Sequence, residues 1–319
     1  MSRIVSIVMY HYVRDLVHTR FTGVRGRSID EFRFQIDYLK KTGTFITSRQ
    51  LVDAVANGTN LPDNAVMVSF DDGYLDHYTN VLPILHDRQI EGLFFPTVEP
   101  ILKHKVMNVN KIQFILACEP DASKLVEEIK FWVGESNGIY ALPDTEELWK
   151  ESALSARFET VESFFVKSVL QRRLPKAARS ILTDYLFHKH VTQDEHAFAE
   201  ELYMSPEQLR MMHQCGQYIG SHGYSHEWLD LLEPEGQAIE IQEPLRFLSG
   251  LGIPVDNWIM CYPYGGYPHG AIDVQLRNAL VEHGCALALI SHGGKANLEQ
   301  DDRFMIRRLD TNDVSLNRP

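Results

Sequence analysis

The run Ala65-Val-Met-Val-Ser-Phe70 is apolar at every position but Ser69. A strand with one wet face alternates apolar and polar residues, so a run this continuous is expected to be covered on both faces, as strands of a parallel sheet are. Asp71-Asp72-Gly73 follows it with no spacer. Two carboxylates at the end of a dry strand resist joint ionisation, and a nearby cation would let both stay charged.

The same strand-then-helix rhythm covers much of the chain. Arg3 to Tyr10 reads as a strand. A helix follows, with Ser28 as N-cap, Glu31 as its capping-box partner, apolar Phe32, Ile36 and Leu39, and Gly43 as the stop. Leu82, Ile84 and Leu85 carry a helical pattern, and Gly92 to Val98 a strand. Ser205-Pro206 opens a helix that stops at Gly216, followed by a strand from Tyr218 to Ser221. Helical Gln237–Leu248 precedes strand Trp258–Tyr262, helical Ile272–His283 precedes strand Cys285–Ser291, and Phe304–Leu309 is a last strand. This alternation predicts an α/β chain with a parallel sheet or barrel. Residues 101–204 break the rhythm, being mostly helix-like with both charges mixed. They are expected to be an insertion, either a lid or subdomain or a solvated decoration. The domain expectation is therefore a barrel made of 1–100 and 205–319, interrupted by 101–204.

His11, Asp71, Asp72, His222, Pro263-Tyr264-Gly265 and His292 each come directly after a predicted strand. In a parallel barrel the carboxyl ends of the strands and the loops after them form the active face, so all of these converge on one rim. Singly they carry little: an H-x-x-x-H pair such as His222 and His226 arises by chance about 0.6 times in a chain of this histidine content. Asp301-Asp302, a second acidic pair, reads as a solvated loop. Placed together, one Asp and two His make a facial set with open positions for water and substrate. A metal there lowers the pKa of its water toward ~7 and polarises a carbonyl, which suits hydrolysis of an amide or ester.

Composition narrows the partners. A net charge of -12 argues against nucleic acid, which needs a basic face. The longest apolar stretches fall far short of the ~20 residues of a spanning helix. The first ten residues read as a strand rather than a signal peptide, so a soluble, cytoplasmic protein is expected. The cysteines, Cys118, Cys215, Cys261 and Cys285, form no C-x-x-C pair and read as free thiols.

Three segments resemble the motifs of the polysaccharide deacetylase family, carbohydrate esterase family four or NodB-homology domain: Ser69-Phe70-Asp71-Asp72-Gly73-Tyr74, Ser221-His222-Gly223-Tyr224-Ser225-His226 and Cys261-Tyr262-Pro263-Tyr264-Gly265. Met9-Tyr10-His11 resembles the opening strand of many members. The resemblance covers residues 1–100 and 205–310 and implies a distorted (β/α) barrel of about seven parallel strands. It implies Asp71 as general base, and Asp72, His222 and His226 as ligands of a divalent metal, zinc first, with cobalt or nickel also accepted. Pro263 and Tyr264 would wall the sugar site, with the Tyr264 backbone N–H offered to the oxyanion. Many members carry an Arg before the third-motif Pro to orient the catalytic Asp. Here Cys261 and Tyr262 stand in its place, so Asp71 must be oriented from elsewhere. The family's late general-acid His has an approximate counterpart in His292. On the other reading His292 is a hydrogen-bonded rim residue, and the leaving amine takes its proton from a water on the metal.

The remaining residues take plainer expectations. His11 is a pocket-wall residue, Asp310 belongs to a structural ion pair, and His188, His190 and His196 are solvated. Trp228 and Tyr264 stack on a sugar ring or pack in the core. The expected activity is metal-dependent removal of an N-acetyl group from an amino sugar, an activated intracellular precursor of a surface polysaccharide. Two alternatives stay open: a deformylase or amidohydrolase acting on a non-sugar or lipid-linked substrate, and a catalytically idle metal- or sugar-binding domain.

Overall fold

The computed structural model describes residues 3–155, 159–265 and 272–315, apart from the side chains of Ser155 and His292. Its strands are β1 (Ile4–Tyr10), β2 (Thr44–Phe45), β3 (Ala65–Asp72), β4 (Leu93–Pro96), β5 (Tyr218–Ile219), β6 (Ile259–Cys261), β7 (Leu287–Gly293), β8 (Ala296–Asn297) and β9 (Ile306–Asp310). Seven of them run in the order β5-β4-β3-β1-β9-β7-β6, and every pairing along that path is parallel. The two ends of the path meet. Ser221, just beyond β5, pairs with Met260 of β6; its N–H reaches the Ile259 carbonyl at 3.2 Å and its carbonyl accepts the Cys261 N–H at 2.8 Å. The expected α/β barrel of parallel strands is present. It is distorted because β5 and β6 are only two and three residues long, and because β2 and the antiparallel β8 hang from β3 and β1.

The interior follows from the period of two along each strand. Val5 and Ile7, Ala65 and Met67, Leu93 and Phe95, Ile259 and Cys261, Leu287 and Leu289, with Ile306, form one buried cluster. Continuing the same alternation toward the carboxyl ends puts Ser69 and Asp71 of β3 and Arg308 of β9 on this inner face. All eight residues of β3 are buried.

Local signals set the helices. Helix Ile29–Thr42 begins with the expected capping box: Ser28 Oγ accepts the Glu31 N–H, and Glu31 Oε2 accepts the Ser28 N–H. Helix Pro206–Gln214 has the same arrangement between Ser205 and Gln208. Helix Ser48–Asn57 was not anticipated, although Thr47 and Gln50 form its capping box and so carried a readable signal. The strand after Gly284 runs on through residue 292 to Gly293. His292 is thus a strand residue rather than the first residue of a loop.

The chain divides into two compact units: residues 1–15, 26–104 and 199–319 form one, residues 16–25 and 105–198 the other. The second is helical. Phe21, Phe114 and Phe198 pack edge to face within it, and the buried Lys111 is held by Asp184 at 2.5 Å and Glu195 at 2.7 Å. His188 and His190 are not simply solvated: His188 Nδ1 donates to the Asp184 carbonyl and His190 meets Glu128 at 3.2 Å. Among the described residues no helix is long and apolar enough to cross a membrane, and the cysteines are free.

Candidate active site

Asp71 and Asp72 are adjacent yet serve different surroundings. Asp71 lies on the inner face of β3, where Arg308 meets it as a fork: Nη1 donates to Oδ1 and Nη2 to Oδ2, each at 2.8 Å. The remaining guanidinium contacts are also satisfied, Nε donating to the Ile290 carbonyl at 2.9 Å and Nη1 to Ser69 Oγ at 3.1 Å. The Arg308 side chain has no exposed surface. The Cys261 thiol approaches Asp71 Oδ1 at 3.4 Å. Burial pushes the Asp71 carboxyl up, but the Arg308 guanidinium outweighs it and holds the pKa at about 2. Orientation of Asp71, left unassigned by the third motif, therefore comes from β9. Arg308 was missed because it stands in a run of charged residues. Its spacing of two from the apolar Ile306 was the available signal, since that spacing places both on one face.

Asp72 ends β3 with φ 75°, a left-handed conformation rare for a non-glycine residue. Tyr74 donates its hydroxyl to Oδ2 at 2.5 Å, and its ring stacks on Tyr12. Oδ1 faces His222 Nε2 at 3.3 Å and His226 Nε2 at 3.4 Å. Neither imidazole is aligned to hydrogen-bond to it, so Oδ1 is a buried oxygen without a hydrogen-bond partner. The Cys261 carbonyl accepts from His222 Nδ1 at 2.8 Å, which fixes the proton on Nδ1 and turns the Nε2 lone pair toward Asp72. Lone pairs converging on one point repel unless a cation stands between them. The three ligand atoms lie within 4.8 Å of one another, and the two-nitrogen, one-oxygen donor set suits a divalent transition ion. Asp72, His222 and His226 thus fit a metal. Asp71, His222 and Cys261 also converge, but Arg308 already binds both Asp71 oxygens.

His11 is closer to the chemistry than a pocket wall: Nε2 lies 3.9 Å from Asp71 Oδ2, and the side chain is 43% exposed. Its backbone is held by His77, which donates from Nε2 to the His11 carbonyl at 2.8 Å. Burial pushes the His77 pKa down to about 4, so it stays neutral. His77 opens a π-helical turn, His77–Val81, a feature often kept at functional sites.

In the third motif, Tyr264 has φ 56°, and any side chain at Gly265 would strike Ser291. Tyr264 and Trp228 stack on each other, centroids 4.3 Å apart and planes 2° from parallel, with Tyr264 edge-on to His226 at 4.6 Å. The two aromatics form a face-to-face stack beside the ligand cluster, each covering one face of the other. Pro263 is buried. Asp310 makes no ion pair among the described residues; its carboxylate caps the turn Thr311–Asp313 by accepting the Asn312 N–H at 2.7 Å. The His292 side chain lies outside the described residues.

A parallel barrel with carboxylates and imidazoles gathered at the carboxyl ends of its strands has its candidate site at the face where (β/α) barrels carry their active sites. The family model for polysaccharide deacetylase matches residues 170–285. Over 91 residues the chain is 34% identical to the poly-beta-1,6-N-acetyl-D-glucosamine N-deacetylase of Escherichia coli (strain K12), a match spanning 28% of this chain and 13% of that protein. Among solved structures, the Streptococcus pyogenes deacetylase PplD in complex with acetate gives a TM-score of 0.59 at 13% identity, over 96% of this chain and 92% of that one. IcaB from Ammonifex degensii gives 0.56 at 20% identity, over 97% and 93%. At such identities these two speak for the fold. The matched model adds that residues 170–285 are similar to the polysaccharide deacetylase family, the family whose motifs the three segments resemble.

Proposed function

We propose that this chain is a metal-dependent carbohydrate N-deacetylase that hydrolyses the acetamido group of an N-acetylated amino sugar. The observation that carries the reading is the meeting of Asp72 Oδ1, His222 Nε2 and His226 Nε2 beside an Asp71 bound by Arg308 rather than by the cluster. Zinc, cobalt or nickel fits the donor set, and such an ion supplies Lewis acidity toward a water and the acyl oxygen. Asp71 stays ionised throughout the neutral range and accepts the proton of the attacking water. Arg308 fixes the direction in which its oxygens point. The stack of Trp228 and Tyr264 offers an outer ring face and its edges to a sugar ring, and the third-motif turn carries the Tyr264 N–H toward the developing oxyanion.

A proton must also reach the leaving amine. His11, half-exposed and 3.9 Å from Asp71, is the imidazole that the geometry favours for this. His11→Asn should lower kcat about 10²- to 10³-fold, the size of a lost general acid, with metal content unchanged. The competing donor is His292. If His292→Asn brings the larger loss and His11→Asn stays within a few-fold of wild type, the proton donor is His292.

The reading is tested by loading the metal-free protein with zinc or cobalt and following loss of one acetyl by mass spectrometry. The panel holds β-1,6-linked N-acetylglucosamine oligomers, in keeping with the named relative, and nucleotide-activated acetamido sugars, in keeping with an intracellular precursor. Loss from the activated sugars alone supports the cytoplasmic precursor, and loss from the oligomers alone overturns it. Full metal occupancy with no hydrolysis of any acetamido sugar overturns the enzyme reading.

A further inference from the structure

In a helix, histidines four apart share a face and converge on a metal without outside help. His222 and His226 have that spacing, but residues 222–228 are not helical. Gly223 has φ 79° and His226 φ 59°. Their convergence must be imposed by something outside the loop.

Glu240 supplies the anchor. It belongs to helix Pro234–Gly250 and is 2% exposed. Its Oε2 accepts the Tyr224 N–H at 2.8 Å and the Ser225 N–H at 3.1 Å. Oε1 accepts the Ser225 N–H at 3.1 Å and the Ser225 hydroxyl. A Cβ at Gly223 would come within 2.6 Å of Oε2, so the carboxylate packs directly on the backbone between the two histidines. Three residues earlier on the same helix, the buried Gln237 donates to the Leu229 carbonyl at 3.0 Å and pins the far end of the loop. Among the described residues no cation pairs with Glu240. A buried carboxylate without a cation is costly, and here every compensating donor belongs to the loop that carries the histidines.

We propose that Glu240 is a positioning residue that preorganises the His222–His226 loop and thereby sets the affinity of the Asp72, His222 and His226 cluster for its metal. This rests on the metal-site reading above. All partners of Glu240 are donors, so only an acceptor on both oxygens serves. An amide of the same shape turns an NH2 group against a backbone N–H and lets the loop relax.

The test measures zinc and cobalt affinity by competition with a chromophoric chelator, together with the visible spectrum of the cobalt form, in wild type, Glu240→Gln and Ser225→Ala. Glu240→Gln should bind about 10- to 100-fold more weakly, as for other groups that orient metal ligands, with an altered cobalt spectrum and a cooperative melt. Ser225→Ala removes only one donor and should weaken binding several-fold. It decides the matter if Glu240→Gln does not fold. Wild type that takes up no ion at these residues overturns the metal-site reading itself. A wild type that binds one ion, matched in affinity and spectrum by the folded variants, overturns the role of Glu240 alone.

Discussion

Replacing Asp71 by asparagine is expected to lower turnover about 10³- to 10⁴-fold while the protein still takes up its full complement of metal. The first effect follows from losing the acceptor for the proton of water. The second follows because Asp72, His222 and His226, the cluster proposed to hold the metal, converge without Asp71. A further cost comes from Arg308, which would keep its charge in a fully buried setting with no counter-charge. Breaking a buried pair from one side typically destabilises by about 3–5 kcal/mol, so the variant should also melt lower. Metal analysis, steady-state kinetics and a thermal melt read the three effects separately. Near wild-type turnover in Asp71→Asn would remove Asp71 from the base role.

The second large effect is expected at Arg308, which touches no metal ligand and would be overlooked in a search confined to the motifs. Arg308→Met should cost about 3–5 kcal/mol at neutral pH, by leaving Asp71 buried and unpaired. It should also lower kcat more than it raises KM, because what is lost is the orientation of the base. Lysine cannot reproduce the two parallel hydrogen bonds, so Arg308→Lys should recover stability only in part. The pH dependence has a definite sign. In wild type the Asp71 pKa is about 2 against an ordinary 3.8, so this group adds stability above the ordinary value that is lost as pH falls through the folded one. At about 1.4 kcal/mol per pKa unit the contribution is ~2 kcal/mol, lost between about pH 4 and pH 2. Without the guanidinium, burial acts unopposed and lifts the carboxyl above its ordinary value. Acid then favours the folded variant at this position, so the stability gap between wild type and Arg308→Met should narrow as pH falls. Denaturant midpoints of both proteins at about pH 7, 5 and 3 measure that gap. A gap that does not change with pH would mean that Arg308 does not govern the charge of Asp71.

Much of this site was legible because its residues are tied to strand ends. An unbroken apolar run implies a strand covered on both faces, and the residue types that follow such runs lie on one rim whichever strands are neighbours. On that ground alone His11, Asp71, Asp72, His222, Pro263, Tyr264 and His292 belong to one rim. The supporting residues were not legible in the same way. Arg308 stands 237 positions from Asp71, and whether β9 lies beside β1 and β7 is decided by sheet order, which no local pattern encodes. Glu240 reads as one acid among many on a helix until its burial is known. Asp310 looked like half of an ion pair and is a turn cap, because its nearest donors are the backbone and side chain of Asn312.

The division follows from the range of the forces involved. Hydrophobic period, capping boxes and the conformational limits of glycine act over a few residues, so the sequence by itself determined the seven strands of the parallel path, several of the helices, the rim and the residue types that could carry hydrolysis. Which charges are neutralised, and by what, depends on distances across the closed barrel, where low dielectric makes one neighbouring guanidinium or one missing partner decisive. The family resemblance implied different roles for the two adjacent aspartates, and only the tertiary structure supplied the physical cause, giving Asp71 to Arg308 and leaving Asp72 to face the two imidazoles.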